Sequence, residues 1–371
     1  MFRYLLTLLA CASMLGAQKK TYTDAEALQI HNTLLLIDTH NDVTSETVKG
    51  LDLSKPGTAT HTDIQRLKRG NVGATFFAVY VAAAYAKKQQ AAHRTLEMID
   101  TVKRDIAARF PGDFVFAGSA DQIVAARKQG KMAALMGIEG GHAIEDSLRL
   151  LRTYYDLGIR YMTLTHSNNN SWADSSGSKP EHNGLTAFGK KVVAEMNRLG
   201  MMVDISHVSD KTFRDVLEVS QAPPFASHSS CRAISDIARN MSDEMIQALA
   251  KKGGVIQINF GCEFLNPKSA ESSELGRLPA AARPKPMVRA TLQDIVAHID
   301  HVVKIAGVDY VGIGSDFDGV TCVPVGLEDV SQFPNLTKAL LNKGYSAGDI
   351  GKIYSGNLLR VMRAVEKAAR P

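Results

Sequence analysis

Leu34-Leu35-Leu36-Ile37-Asp38-Thr39-His40-Asn41-Asp42 is an apolar run that ends in a histidine and a carboxylate two positions apart. Side chains alternate between faces on an extended backbone, so His40 and Asp42 project from one side of a strand that is apolar up to that point. Such a pair can hold a metal ion. His-x-Asp also arises by chance, and a histidine closing a strand is often only a hydrogen-bonded turn residue. The pair gains meaning if other strand ends supply ligands at equivalent places.

Apolar runs of the same kind recur along the chain, at 34–40, 73–81, 132–138, 161–165, 201–206, 223–227, 254–260 and 309–315. Continuous apolar runs suit strands buried on both faces, as in a parallel sheet. The segments between them carry helix punctuation. Asp146 precedes Leu148, Leu151, Tyr154 and Leu157, and Gly158 closes that stripe. Phe188, Val192, Met196 and Leu199 stop at Gly200, Ser209 precedes Phe213, Val216 and Leu217, and Thr291 with Asp294 opens Ile295, Ile299 and Val302 before Gly307. Each stretch has an N-cap candidate, a terminal glycine, or both. Eight strands alternating with helices predict an α/β fold, a (β/α)8 TIM barrel. A doubly wound open sheet is the alternative, because the pattern alone does not show closure. Three long stretches follow strands, at 44–63, 167–186 and 264–289. In a barrel they stand over the mouth, as walls or lids.

At 371 residues, 45% hydrophobic and 22% charged, the composition is that of an ordinary globular protein. The net charge of +5 is small and its basic residues are interspersed with acidic ones, so a nucleic-acid partner is not expected. Residues 1–17 carry Arg3, a short apolar core and then small residues, which describes a secretory signal too short to span a bilayer. Leu8-Leu9-Ala10-Cys11 resembles a bacterial lipobox with Cys11 as lipid anchor, whereas cleavage after Ala17 would release a soluble protein. Either route predicts an exported chain, periplasmic or an outer-membrane lipoprotein, with 18–371 as a single catalytic domain. The chain ends in Arg370-Pro371 without a hydrophobic tail, which speaks against a C-terminal glycolipid anchor. Cys231, Cys262 and Cys322 lie outside the signal, and sequence does not choose which two would pair.

The other strand ends do supply ligands. The third run ends in Glu139-Gly140-Gly141-His142, the fourth in His166, the fifth in Asp204-Ile205-Ser206-His207, the sixth in Ser227-His228, and the eighth in Ser315-Asp316-Phe317-Asp318. Independent placement would scatter these groups over helices and loops as well. The ligand set is His40, Asp42, Glu139, His207, His228 and Asp316, a mixture of imidazole and carboxylate that suits zinc, then manganese, cobalt or iron. Six ligands exceed one open tetrahedral site and suit two metals sharing a carboxylate, which points to metal-assisted hydrolysis. Gly140-Gly141 marks a tight turn that aims His142 away, and Asp318 reads as a loop cap.

The stretches IDTHND, GIEGGHAIEDSLRLL, GIRYMTLTHSNNNSWAD, DISHVS, FASHSS, ARNMSDE, GGVIQINF and VGIGSDFDGV, with the closing GNLLRVMRAVE, resemble the membrane (renal-type) dipeptidases, peptidase family M19, in a bacterial exported form. The resemblance implies a zinc-dependent dipeptidase with two Zn2+ per chain and a metal-bridging hydroxide. It assigns His40, Asp42, Glu139 and Asp316 to one zinc and Glu139, His207 and His228 to the other. It places His166 as oxyanion donor, Arg239 as the clamp on the substrate carboxylate, and Asp316 as proton acceptor facing the amine. It also implies dipeptide substrates and a homodimer. One departure concerns the pocket: where the family often has a bulky side chain after Asn259-Phe260, this chain has Gly261-Cys262. The rival readings are a binuclear amidohydrolase acting on N-acyl amino acids, lactams or lactones, and a non-catalytic binding barrel.

Overall fold

The computed structural model describes residues 20–275, 282, 283, 285, 286 and 288–370. The expected signal segment, with Cys11 and Ala17, lies outside the described residues. Among those described, no helix is long and apolar enough to cross a membrane.

Nine strands form one sheet: β1 Leu36–Asn41, β2 Val72–Tyr80, β3 Phe114–Phe116, β4 Met132–Glu139, β5 Ile159–Thr163, β6 Met202–Asp204, β7 Phe225–Ser229, β8 Val255–Ile258 and β9 Val311–Ile313. Eight of them pair in parallel in the order β1-β2-β4-β5-β6-β7-β8-β9, the sequential order of a barrel. All eight apolar runs overlap one of these strands. β3 was not anticipated: it is three residues long and pairs only with the start of β4. The eighth run begins in a 3-10 turn, Val308–Tyr310, before β9.

The two ends of the row meet at the mouth. The Asp42 N–H donates to Phe317 O at 2.9 Å, and the Asp316 N–H donates to His40 O at 3.0 Å. The Ser315 N–H and hydroxyl both donate to the Asp38 carboxylate, at 2.8 and 2.6 Å. These bonds close the sheet, so the open-sheet alternative falls.

Inside the barrel, Phe76, Tyr161 and Phe225 form an aromatic plug, with ring centroids 5.4 Å apart for Phe76 and Tyr161 and 5.3 Å apart for Tyr161 and Phe225. Gly137 of β4 lies level with Tyr161 of β5. A Cβ at Gly137 would stand 2.0 Å from the Tyr161 ring, so the glycine is what admits that ring beneath the mouth. Small beside large is how a barrel interior fills without voids.

Outside, the helices follow the expected punctuation with one shift. Ser147, not Asp146, caps the helix Leu148–Asp156, its side chain accepting from the Leu150 N–H. Asp146 stands at φ 55° and accepts from the Ser171 hydroxyl at 2.5 Å instead. Thr291 and Asp294 form a reciprocal capping box, and Gly200 ends the helix Ala187–Leu199 at φ 81°. The stretch 167–186 is a packed wall: Trp172 is fully buried, and the Asp174 carboxylate accepts from the N–H groups of Glu181, His182 and Gly184 at 2.9, 3.0 and 2.8 Å. The stretch 264–289 starts next to a disulfide, Cys262–Cys322, and holds a short helix, Pro267–Ser272; Cys231 is free and buried.

Gly137→Ala forces an overpacked barrel interior, and a loss of about 1–3 kcal/mol is expected. Urea unfolding of the variant beside wild type measures it.

Candidate metal centre

Five strand ends and the seam converge on one place. His40 Nε2 lies 3.2 Å from Asp42 Oδ2 and 3.6 Å from Glu139 Oε2. The other oxygen of Glu139, Oε1, lies 2.9 Å from His207 Nε2 and 3.2 Å from His228 Nε2, and those two nitrogens are 3.0 Å apart. Asp316 joins His40 and Asp42 in a third group whose ligand atoms all lie within 4.8 Å of one another. All six predicted ligands are therefore brought together, and Glu139 stands between two halves.

Neighbouring groups fix which way the imidazoles face. The Tyr161 hydroxyl donates to Thr39 O at 3.1 Å, so at 2.8 Å from His40 Nδ1 it accepts the Nδ1 proton. The Ser227 hydroxyl donates to Asp204 Oδ2 at 2.6 Å and accepts from His228 Nδ1 at 2.7 Å. Both rings thus turn Nε2 toward Glu139, the arrangement of a metal-ligating histidine supported from behind.

The donor set fits a cation. His40 Nε2 and Asp42 Oδ2 are buried without a hydrogen-bond partner among the described residues. Burial holds His207 and His228 well below the usual imidazole range, so neutral nitrogens converge on a carboxylate oxygen. Burial alone would depress His40 too, but the facing Tyr161 oxygen, Asp42 and Glu139 outweigh it and hold it well above its ordinary value. Burial would raise Glu139, yet the neighbouring His40, His166, His207 and His228 outweigh it and hold it well below the usual carboxylate range. Burial pushes Asp316 well up, and Asp42 and Glu139 push the same way. Lone pairs and negative charge packed this closely in a dry site cost free energy unless a metal compensates them.

Two of these ligands hold unusual backbone conformations. His207 at φ 68° and Asp316 at φ 61° sit in the left-handed region that disfavours side-chain-bearing residues. Such strain gathers at functional sites where surrounding bonds over-determine the geometry.

His166 stands at the rim, its Nε2 3.8 Å from Glu139 Oε1 and its ring 4.5 Å from that of His207. It also falls within a group with Glu139 and His207 that could hold an ion. Arg239 is tied to the centre from behind: its guanidinium donates to Ser229 Oγ at 2.8 Å and to His228 O at 2.7 Å. His142 is turned away, bonded through Nε2 to Val81 O at 2.8 Å, because Gly140 reverses the chain at φ 105°. Asp318 caps the loop at His61, accepting from its N–H at 2.5 Å.

Sequence reasoning missed four participants. Asn259, at the end of β8, donates to Asp316 Oδ2 at 2.7 Å. Tyr80, at the end of β2, places its ring 4.9 Å from that of His166. Their signal was position, since both occupy strand ends that lacked an ionisable ligand. Tyr161 and Glu263 carried no such signal. A cavity of about 440 Å³ opens over the centre, lined among others by Tyr80, His166, Glu263, Phe264 and Val320.

Residues 24–371 match the family model described as membrane dipeptidase, peptidase family M19. A dipeptidase of Schizosaccharomyces pombe is 36% identical over 356 residues, which covers 90% of this chain and 81% of the relative. The solved structure of the probable dipeptidase PvdM from Pseudomonas aeruginosa is similar with a TM-score of 0.84 and 27% identity, over 93% of this chain and 99% of that one. A metallopeptidase from Rhodobacter sphaeroides, solved with a phosphinate mimic of the dipeptide L-Ala-D-Ala, matches with a TM-score of 0.78 and 27% identity, over 90% and 99%.

Tyr161→Phe removes the oxygen that orients His40. Metal affinity is expected to fall about 10- to 100-fold, read by competition with a chelator.

Proposed function

The chain belongs to the membrane dipeptidase family, peptidase family M19, and is a metal-dependent hydrolase of dipeptides; from that premise we propose that its centre holds two Zn2+ that share Glu139. The observation that carries this reading is the division of one carboxylate, Oε1 toward His207 and His228 and Oε2 toward His40. His40, Asp42, Glu139 and Asp316 hold one ion, and Glu139, His207 and His228 hold the other. Ions held there would supply Lewis-acid polarisation of the scissile carbonyl and a water of lowered pKa.

The remaining work falls to the chain's own groups. His166, at the rim, donates a hydrogen bond to the carbonyl oxygen as it gathers charge. Arg239 uses two of its donors to hold Ser229 and the His228 carbonyl, and keeps the others for the terminal carboxylate of the substrate. Asp316, oriented by the Asn259 amide that donates to its Oδ2, takes the proton of the attacking water and faces the substrate amine. A site that holds both ends measures the length of its substrate, and this is the basis of a preference for dipeptides. Export through residues 1–17, with or without a lipid on Cys11, and assembly as a homodimer are further proposals that rest on the leader composition and the family resemblance; cell fractionation and light scattering test them.

A dipeptide panel assayed with and without added zinc tests the reading. L-Ala-D-Ala belongs in the panel because the Rhodobacter sphaeroides structure carries a mimic of it. N-acetylation of a cleaved dipeptide is expected to abolish turnover; full activity on the acetylated form would contradict the amine-facing role of Asp316. Arg239→Ala is expected mainly to raise KM, by about tenfold or more, and an unchanged KM would place the carboxylate clamp elsewhere. His166→Ala is expected to lower kcat by about 100- to 1,000-fold with metal content intact, whereas loss of zinc in that variant would make His166 a ligand.

A further inference from the structure

We infer that Glu263 reads the side chain at the carboxylate end of the dipeptide and selects a basic one, lysine or arginine. The inference rests on Arg239 as the carboxylate clamp, and it adds a specificity that the shared chemistry of the centre does not supply.

The cavity over the centre contains five carboxylates, and four are committed. Asp42, Glu139 and Asp316 form the centre, and Asp318 is bound to the His61 N–H at 2.5 Å. Glu263 is the remaining one. Its Oε2 is buried and has no hydrogen-bond partner among the described residues, and its nearest chain neighbour in the cavity wall is Phe264. Burial raises the proton affinity of this carboxyl. An ammonium or guanidinium brought into the cavity compensates the charge, while an apolar side chain leaves it uncompensated and an acidic one adds repulsion.

The end of the substrate that meets Glu263 follows from what its backbone is bonded to. The Ser235 hydroxyl donates to Glu263 O at 2.9 Å, and the Asn240 amide donates to Phe264 O at 2.9 Å. Both donors belong to the segment that carries Arg239, whose guanidinium lies 5.6 Å from the centroid of the Phe264 ring. The Glu263 wall is therefore anchored to the segment that carries Arg239, and this is the basis for assigning it to the carboxylate end.

The wall is rigid enough to discriminate. The disulfide Cys262–Cys322 joins the residue before Glu263 to the segment carrying Val320 and Thr321, and the Cys262 N–H donates to Cys322 O at 3.0 Å. Gly261 completes the arrangement: a Cβ there would stand 2.6 Å from the Phe264 ring and 2.9 Å from Val320. The glycine that departs from the family pattern is what lets Phe264 and Val320 close together on this wall.

The test compares metal-loaded wild type and Glu263→Gln on Ala-Lys against Ala-Met, and on Lys-Ala against Met-Ala, with metal content measured for both proteins. In wild type, kcat/KM is expected to favour Ala-Lys over Ala-Met by about tenfold or more, and the variant is expected to bring that ratio close to one. The ratio for Lys-Ala against Met-Ala is expected to stay the same. Absence of an Ala-Lys preference in wild type would overturn the inference without recourse to any variant. So would a variant that loses both members of a pair equally, or one that changes only the Lys-Ala ratio. Failure of the clamp reading shows separately, as an Arg239→Ala variant with unchanged KM.

Discussion

Everything at the mouth depends on how the barrel closes. The seam is made by two backbone hydrogen bonds, Asp316 N–H to His40 O and Asp42 N–H to Phe317 O, and by the Asp38 carboxylate gripping Ser315 from the other strand. The residues that make these bonds include three of the six candidate ligands, so closing the sheet and assembling one half of the metal centre are a single event. Asp316 holds a left-handed backbone conformation that costs free energy, and the seam bonds on either side of it supply the constraint that keeps it there. A parallel sheet that stayed open between β1 and β9 would leave His40 and Asp42 without Asp316.

Below the seam, the interior is organised to aim lone pairs. Gly137 admits the Tyr161 ring, Tyr161 takes the Nδ1 proton of His40, and Asp204 acts through Ser227 on His228 in the same way. Negative charge and the neutral nitrogens of His207 and His228 are thereby concentrated around the buried Glu139. Such a concentration is unfavourable by itself and favourable around divalent cations, which couples metal binding to the stability of the mouth.

The sequence made the strands and the six candidate ligands legible for a physical reason. Strands buried on both faces must be apolar, and reacting groups must stand where those strands end, so position and chemistry coincide at His40, Glu139, His207, His228 and Asp316. Parts of the fold whose cause is long-range were not legible. β3 is too short to register as a run, and its existence depends on pairing with Met132–Ala134. The choice between Asp146 and Ser147 as helix cap turns on Asp146 being engaged by Ser171 from a distant loop. The pairing of Cys262 with Cys322 needed the fold, because 60 residues separate them in sequence. Tyr161, Asn259 and Glu263 belong to no motif read from the sequence; each matters through what it touches.

The central claim is that one carboxylate, Glu139, serves both halves of the metal centre. Metal content per chain in Glu139→Gln, measured by mass spectrometry on protein purified with excess zinc, tests this directly. Both ions are expected to be lost together, leaving well under one per chain, and dipeptide hydrolysis is expected to disappear with them. A variant that keeps one tightly held ion per chain, or both, would contradict the claim.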